Sequence, residues 1–191
     1  MQLVLATHNQ NKVREVGEIL SASVPGLSLV GYDGPEPVED GDSFLSNALI
    51  KARAAHQVTG QSAIADDSGL MVEILGGSPG IFSARWSGKK DDAANRELLL
   101  AQLSDVSAEN RKASFVCTVA LVSDSGEQSF TGVWPGSIAF EATGEFGFGY
   151  DPIFIPEGFV VSAAELEPEL KNAISHRAMA LSQLAGQLRP Q

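Results

Sequence analysis

The chain is short of several things, and each shortage closes off a class of function. It carries one cysteine, Cys117, in 191 residues, so neither a disulfide framework nor a thiolate zinc site is available. Cys117 lies in the apolar run Phe115-Val116-Cys117-Thr118-Val119, where a buried, inert thiol is expected, compatible with a reducing compartment. Basic residues are also few: 13 Lys and Arg stand against 24 Asp and Glu, for a net charge of −11. That balance speaks against polymeric nucleic acid as a partner, because affinity for a phosphate backbone depends on a basic surface. It leaves room for a small phosphorylated ligand held by a few cations in one cleft. No apolar run approaches the length of a membrane span, and no basic-then-apolar signal region opens the chain. A soluble, cytoplasmic protein with no membrane partner is therefore expected. There is no Walker A sequence, internal repeat or low-complexity tract.

What is present reads as one globular domain over residues 1–191, of α/β type. Residues 2–6 form a buried strand, followed by the polar loop Thr7-His8-Asn9-Gln10-Asn11-Lys12 and a helical stripe of Val13, Val16, Ile19 and Leu20. Ligands in open α/β sheets collect at the carboxyl ends of strands, and the next helix offers free N–H groups to an anion. Residues 27–31 form a second strand, and the Pro- and acid-rich segment 35–42, with Glu39 and Asp40, reads as a surface loop. A helix over 44–58 follows, capped by Asp42 or Ser43, directing Phe44, Ala48, Leu49 and Ala52 inward and stopped by Gly60. Asn47 and Lys51 are four apart on it, so their side chains share one face.

The stretch Ala63-Ile64-Ala65-Asp66-Asp67-Ser68-Gly69 brings a short apolar run to two adjacent carboxylates. Ionised carboxylates resist leaving water, so this pair must be solvated, paired, or bound to a cation. Asp, Ser and Gly are also ordinary turn residues, which leaves a turn and a site equally open here. The stretch reads as the working end of a third strand, with 70–74 a further strand-like run. If the strand persists through the pair, Asp66 and Asp67 point to opposite faces and cannot both address one ion.

Further on, 76–80 is a glycine-rich loop, and 81–88, with Ser83, Arg85 and Trp86, shows no assignable pattern. Asp91 or Asp92 opens a helix that buries Leu98, Leu99 and Leu103. Residues 113–123 and 127–134 form a hairpin, Pro135 ends it, and 136–142 is one more strand. Residues 144–152 interleave three glycines with three aromatics, a composition suited to presenting flat rings to a nucleobase. Ser162 and Glu165 form a capping box. Ser175 caps a last helix whose inner stripe is Ala178, Leu181, Leu184, Ala185 and Leu188. His176 and Arg177 fall in its first turn, where the helix dipole disfavours positive charge, a conflict of the kind found at functional sites.

The polar features sort into the parts that a nucleoside triphosphate requires. The carboxylates Glu39, Asp66 and Asp67 supply hard oxygens of the type Mg2+ takes together with substrate phosphates. Lys12, Lys51, Lys171 and Arg177 can neutralise phosphate charge, and Phe148 and Tyr150 can meet a base.

Six segments, Thr7 to Lys12, Asn47 with Lys51, Ala65-Asp66-Asp67-Ser68-Gly69, Gly80-Ile81-Phe82-Ser83-Ala84-Arg85, Phe148-Gly149-Tyr150-Asp151-Pro152 and Ser175-His176-Arg177, closely resemble the inosine triphosphate pyrophosphatase family. The match of order and spacing covers nearly the whole chain. The resemblance implies an elongated mixed central sheet flanked by helices, two lobes with the active site in the groove between them, and a homodimer. It implies a Mg2+-dependent enzyme cleaving ITP, dITP and XTP to the monophosphate and pyrophosphate, cleansing the nucleotide pool before incorporation into DNA or RNA. Position by position, Thr7, His8, Asn9, Gln10, Asn11, Lys12 and Lys51 resemble triphosphate contacts, with Asn47 on the same face as Lys51. Asp67 resembles the metal-bound catalytic carboxylate, assisted by Lys12 and Lys51, and Glu39 a second metal contact. Ser68 resembles a substrate contact, Phe148, Gly149, Tyr150 and Asp151 the base-side wall, and Lys171, His176 and Arg177 the purine-recognition group. His8 departs from the pattern, standing where the family commonly has a small residue. On this reading Arg177 and nearby N–H groups donate to O6 of the base, a position at which adenine offers only a donor. Two alternatives remain: a nucleotide-binding protein that does not hydrolyse, and a pyrophosphatase for modified pyrimidine triphosphates, which Ser175-His176-Arg177 disfavours.

Overall fold

A computed structural model describes residues 1–188. Six strands, β1 (Gln2–Leu5), β2 (Ser28–Gly31), β3 (Ala63–Val72), β4 (Lys112–Ser123), β5 (Gly126–Ile138) and β6 (Phe154–Pro156), join in one mixed sheet of order β2-β1-β3-β4-β5-β6. Five helices flank it: α1 (Gln10–Ser23), α2 (Phe44–Thr59), α3 (Asp92–Gln102), α4 (Pro168–Ile174) and α5 (His176–Leu188). β1 runs parallel to β2, Gln2 opposite Ser28, and parallel to β3, Val4 opposite Ala63. Strands buried on both faces are continuous apolar runs, and Leu3, Val4 and Leu5 are all buried. β6 pairs antiparallel with the end of β5.

The chain divides into two compact units. The first holds Met1–Asp67, Cys117–Gly132 and the chain from His176. In it α1 packs on α5, with Val16, Leu20, Leu181, Leu184 and Ala185 closing over Leu3, Leu5, Ile64 and Val119. The other side of its strands meets α2 through Ala48, Ala52 and Ala55, small residues that let a helix approach closely. Ser43 caps α2 by accepting from the Ser46 N–H, and Gly60 ends it at φ 66°, the left-handed conformation that glycine adopts freely. The second unit, Ser68–Val116 with Val133–Ser175, is centred on Phe154, whose ring meets Phe115 edge-on at 4.6 Å and Trp134 at 5.5 Å. Leu70, Leu99, Leu103 and Ile153 complete that core.

Four expectations are corrected. β3 does not end at Asp66-Asp67 but runs unbroken to Val72, absorbing the first half of the separate 70–74 strand, and Glu73–Leu75 is a 3₁₀ turn. The pair lies inside the strand because cations meet it there, so neither carboxylate needs the solvent of a turn. Pro135 does not end its strand, and β5 reaches Ile138. The Pro135 carbonyl still accepts from Glu157 N–H at 2.9 Å, and a strand tolerates one missing donor near its edge. Leu98 faces outward, while Leu99 and Leu103 are buried as expected. The short helix α4 carries Lys171, which the sequence pattern left without an element.

Candidate active site

In the first unit, the turn between β1 and α1 is built by its own side chains. Asn9 caps α1, its Oδ1 accepting from Asn11 N–H at 3.0 Å and Lys12 N–H at 3.4 Å, while Thr7 Oγ1 accepts from Asn9 N–H at 3.2 Å. The first turn of α1 contains no acid, which keeps the helix end receptive to an anion. Gln10 and Asn11 belong to this turn, and His8 stacks on Tyr32 with ring centroids 6.2 Å apart.

The two carboxylates of β3 face different cations. On one face, Asp66 Oδ2 lies 2.9 Å from Lys12 Nζ and 3.4 Å from a terminal nitrogen of Arg177. Burial alone would raise the Asp66 pKa. The ammonium of Lys12, the guanidinium of Arg177 and Lys51 beyond them outweigh it, and hold the carboxyl well below the usual range. Arg177, 2 % exposed, gives its other terminal nitrogen to Glu15 of α1. Burial opposes its charge, but Asp66 and Glu15 more than compensate and raise its pKa. These anions answer the helix-dipole conflict: a cation in the first turn of α5 is stable because two carboxylates surround it. Cys117 also lies here, its Sγ 3.8 Å from Asp66, and burial pushes the thiol up to about 12. It is the inert thiol expected.

On the opposite face, Asp67 Oδ2 accepts from Asn47 Nδ2 at 3.2 Å, and Lys51 Nζ stands 3.8 Å from Oδ1. Lys51 Nζ also meets Glu39 Oε1 at 3.3 Å, so Asp67 and Glu39 converge on one point. Asn47 Oδ1 accepts from Gly41 N–H at 2.9 Å, tying the Glu39 loop to Asp67 through one side chain. Both Asn47 and Lys51 lie on the buried face of α2, Lys51 only 8 % exposed. Burial raises the Asp67 pKa, and Lys51, Lys12 and Asn47 only partly oppose it. The two neighbouring carboxyls are thereby shifted in opposite directions, Asp66 down and Asp67 up.

In the second unit, Ser68 follows Asp67 along β3, and Phe148, Gly149, Tyr150, Asp151 and Lys171 form one constellation. Asp151 Oδ2 accepts from Lys171 Nζ at 2.7 Å and from Phe148 N–H at 2.9 Å. Lys171 Nζ sits 5.2 Å from the centre of the Phe148 ring. Gly147 is at φ 75°, and a Cβ there would run into Asp151. Tyr150 is not an open ring: it is 4 % exposed, within the Phe154 core, and its hydroxyl donates to Ser83 O at 2.8 Å. Burial raises its phenol pKa. Phe148 is the less buried ring of the pair.

Sequence reasoning missed Glu15 and Ser83. Glu15 sits three residues after Lys12, the only local signal, and nothing in the pattern tells that Arg177 from a distant helix closes on it. Ser83 gained its role from partners on β3 and the 150 loop: its Oγ accepts from Leu70 N–H at 2.9 Å. His176 heads α5, and Gly132 is required opposite it, because a Cβ there would collide with the His176 carbonyl.

Among the described residues no three His, Cys, Asp or Glu side chains form a cation cage. Mg2+ does not need one, since it commonly takes one or two carboxylates and completes its shell with water and phosphate oxygens. Asp67 and Glu39 converge as such a pair. The residues present fit the ion.

A parallel βα unit with an anion-receptive helix end, beside lysines that bracket strand carboxylates, defines a phosphate-directed α/β protein. The Ham1 family model matches residues 3–187, and the chain belongs to the Ham1 family. A relative from Leifsonia xyli subsp. xyli, named dITP/XTP pyrophosphatase, is 59% identical over 99% of this chain and 96% of its own. One from Mycobacterium tuberculosis with the same name is 50% identical over 98% and 95%. A solved HAM1 protein from Coxiella burnetii superposes with a TM-score of 0.90 at 42% identity, covering 98% of each chain.

Proposed function

We propose that this protein is a nucleoside triphosphate pyrophosphatase that cleaves non-standard purine nucleotides, ITP, dITP and XTP, to the monophosphate and pyrophosphate. The observation that carries the reading is the separation of Asp66 and Asp67 onto opposite faces of β3, each with its own lysine. Asp67, its pKa raised by burial, accepts the proton of a water that attacks the α-phosphorus. The bond from that phosphorus to the bridging oxygen breaks, and pyrophosphate departs. Lys12 and Lys51 stabilise the charge that develops on the phosphate oxygens, and the polar turn from Thr7 to Asn11 holds the triphosphate. Mg2+ bound by Asp67 and Glu39 would supply charge neutralisation of the phosphates and orient the triphosphate. Asp66 is the permanent anion that keeps Lys12 and Arg177 in place.

The half-buried Phe148 offers its face to the base, and Ser68, Lys171 and His176 belong to the substrate contacts. With its terminal nitrogens on Glu15 and Asp66, Arg177 serves first as a holder of Asp66. Selection of purines with an O6 acceptor follows where the pocket offers donors, such as backbone N–H groups and Lys171. Adenine would leave these unpaired, a mismatch that can reject the wrong base by about 10⁴-fold. The reading carries with it a homodimer in the cytoplasm; a monomeric mass in solution refutes the dimer. A substrate panel tests the activity. Pyrophosphate, not orthophosphate, is expected from ITP, dITP and XTP at rates far above those with ATP or GTP, and equal rates across all five refute the proposal.

A further inference from the structure

The segment Phe148-Gly149-Tyr150-Asp151 is held from outside by two residues of α3 that no sequence motif marks. Asp92 Oδ2 accepts from Gly149 N–H at 2.9 Å, and an Arg96 terminal nitrogen donates to Gly149 O at 2.7 Å. Asp92 and Arg96 are four apart, so both project from one face of α3, and they close on one residue from its two polar ends. Asp91 is the N-cap of α3, accepting from Ala94 N–H at 3.1 Å. That bond frees Asp92, the first helical residue, from capping duty.

The gripped residue is the one that needs a grip. Gly149 stands at φ 60°, and glycine is the residue with the most freedom to leave such a conformation. Its neighbours are already tied down: Phe148 N–H by Asp151, Tyr150 by Ser83, Asp151 by Lys171. Gly149 is the hinge on which the Phe148 ring would swing if its peptide groups were released. Both bonds to Gly149 involve a charged partner, the stronger kind of hydrogen bond.

We infer that Asp92 and Arg96 are positioning residues for base selection: by clamping both backbone polar groups of Gly149, they fix the Phe148 ring at the angle that accepts a purine. The inference rests on Phe148 facing the base, as proposed above. Asp92 and Arg96 belong to the second unit, and the proposed triphosphate contacts Thr7 to Lys12 and Lys51 to the first. Their loss is therefore expected to act on discrimination between bases and to spare the chemical step on a poorly recognised substrate. Displacement of a positioning group by about 1 Å can cost up to about 10²-fold, and a loss of this order in selectivity is the expected scale.

The test compares the kcat/KM ratio of ITP to ATP in the full-length protein for Arg96→Met, Arg96→Lys, Asp92→Asn and Phe148→Ala, with melting temperatures measured alongside. Expected is a fall of about tenfold or more in the ratio for Arg96→Met and a smaller fall for Asp92→Asn, whose amide oxygen still accepts from Gly149 N–H, both carried by KM for ITP, with the rate on ATP within about threefold of the parent. Arg96→Lys, which keeps the charge and one donor, recovers part of the ratio. Should Arg96→Met fail to fold, Arg96→Lys and Asp92→Asn carry the comparison. A parallel fall with both substrates that tracks melting temperature, or an unchanged ratio in a folded variant, overturns the inference. Phe148→Ala separates the two layers. If it collapses the ratio while the α3 variants do not, the clamp is refuted and the base-facing role of Phe148 stands. If it leaves the ratio intact, that role falls and the clamp with it.

Discussion

Replacing each aspartate of β3 by asparagine should produce two opposite phenotypes from adjacent positions. In Asp67→Asn the lost charge is one that burial already disfavours, and the new amide fills the same space beside Asn47 and Lys51. Pyrophosphate release should fall by roughly 10²–10⁴-fold, the usual worth of a positioned base, while the fold is retained. The pH dependence has a definite sign. A carboxyl whose folded pKa is raised binds its proton more tightly in the folded state. Ionising it therefore weakens the fold as pH climbs from the unfolded value of about 4 through the raised folded value. Asp67→Asn lacks that loss, so in metal-free buffer it should melt no lower than the parent at neutral pH, and its relative advantage should vanish in acid. Asp66→Asn runs the other way. The lowered folded pKa of Asp66 gives stability that is complete above about pH 4 and is lost only as pH falls through the folded value. Its removal at neutral pH leaves buried Arg177 and half-buried Lys12 without their shared partner. Breaking a buried pair costs about 3–5 kcal/mol. Because Arg177 keeps Glu15, about 3 kcal/mol is expected, against a typical domain stability of about 5–15 kcal/mol. For a chain of this size that is a drop in melting temperature of roughly 6–12 °C. Thermal melts across pH 3–8 and a pyrophosphate-release assay read both variants. Near-parental turnover by folded Asp67→Asn, or equal destabilisation by the two substitutions, refutes the division of labour.

Two further outcomes follow from the same charge network. Arg177→Met should destabilise the protein by about 3 kcal/mol or more, since it takes the guanidinium from both Glu15 and Asp66, Glu15→Gln should cost less, since Arg177 keeps Asp66, and the double variant should lose less than their sum; strict additivity in denaturant melts would show that the two side chains do not act as a pair. Removing divalent cations with a chelator should abolish turnover and added Mg2+ should restore it, because the ion proposed at Asp67 and Glu39 supplies the charge neutralisation of the phosphates; full activity in chelator would refute the role given to that carboxylate pair.

Much of the fold was legible because it is written in local chemistry. The cap at Asn9, the N-cap and stop glycine of α2, the hairpin after Ala113 and the stripe of α5 each depend on residues within one or two turns of each other. What misled was punctuation. Pro135 and the Asp66-Asp67 pair look like ends of strands, because proline lacks a donor and carboxylates seek water. Both features persist inside strands once neighbours from elsewhere meet their needs. Tyr150 misled in the other direction: a ring among glycines looks available for stacking, but its hydroxyl finds Ser83 and its ring finds the Phe154 core.

Taken by itself, the sequence determined the α/β class, the absence of disulfides and of a basic surface, and the family resemblance carried by motifs in fixed order. It also posed, without answering, the question of which way each carboxylate of Asp66-Asp67 points. Tertiary structure answered it. β3 stays extended, so the two side chains part; Lys12 and Arg177 arrive from α1 and α5 on one side, Lys51 and Asn47 from α2 on the other. Glu15, Asp92 and Arg96 acquired their roles in the same way. The physical reason is that a charge takes its meaning from its partner, and these partners lie tens to more than a hundred residues away in the chain. No local period encodes that proximity; only the packing of helices on the sheet creates it.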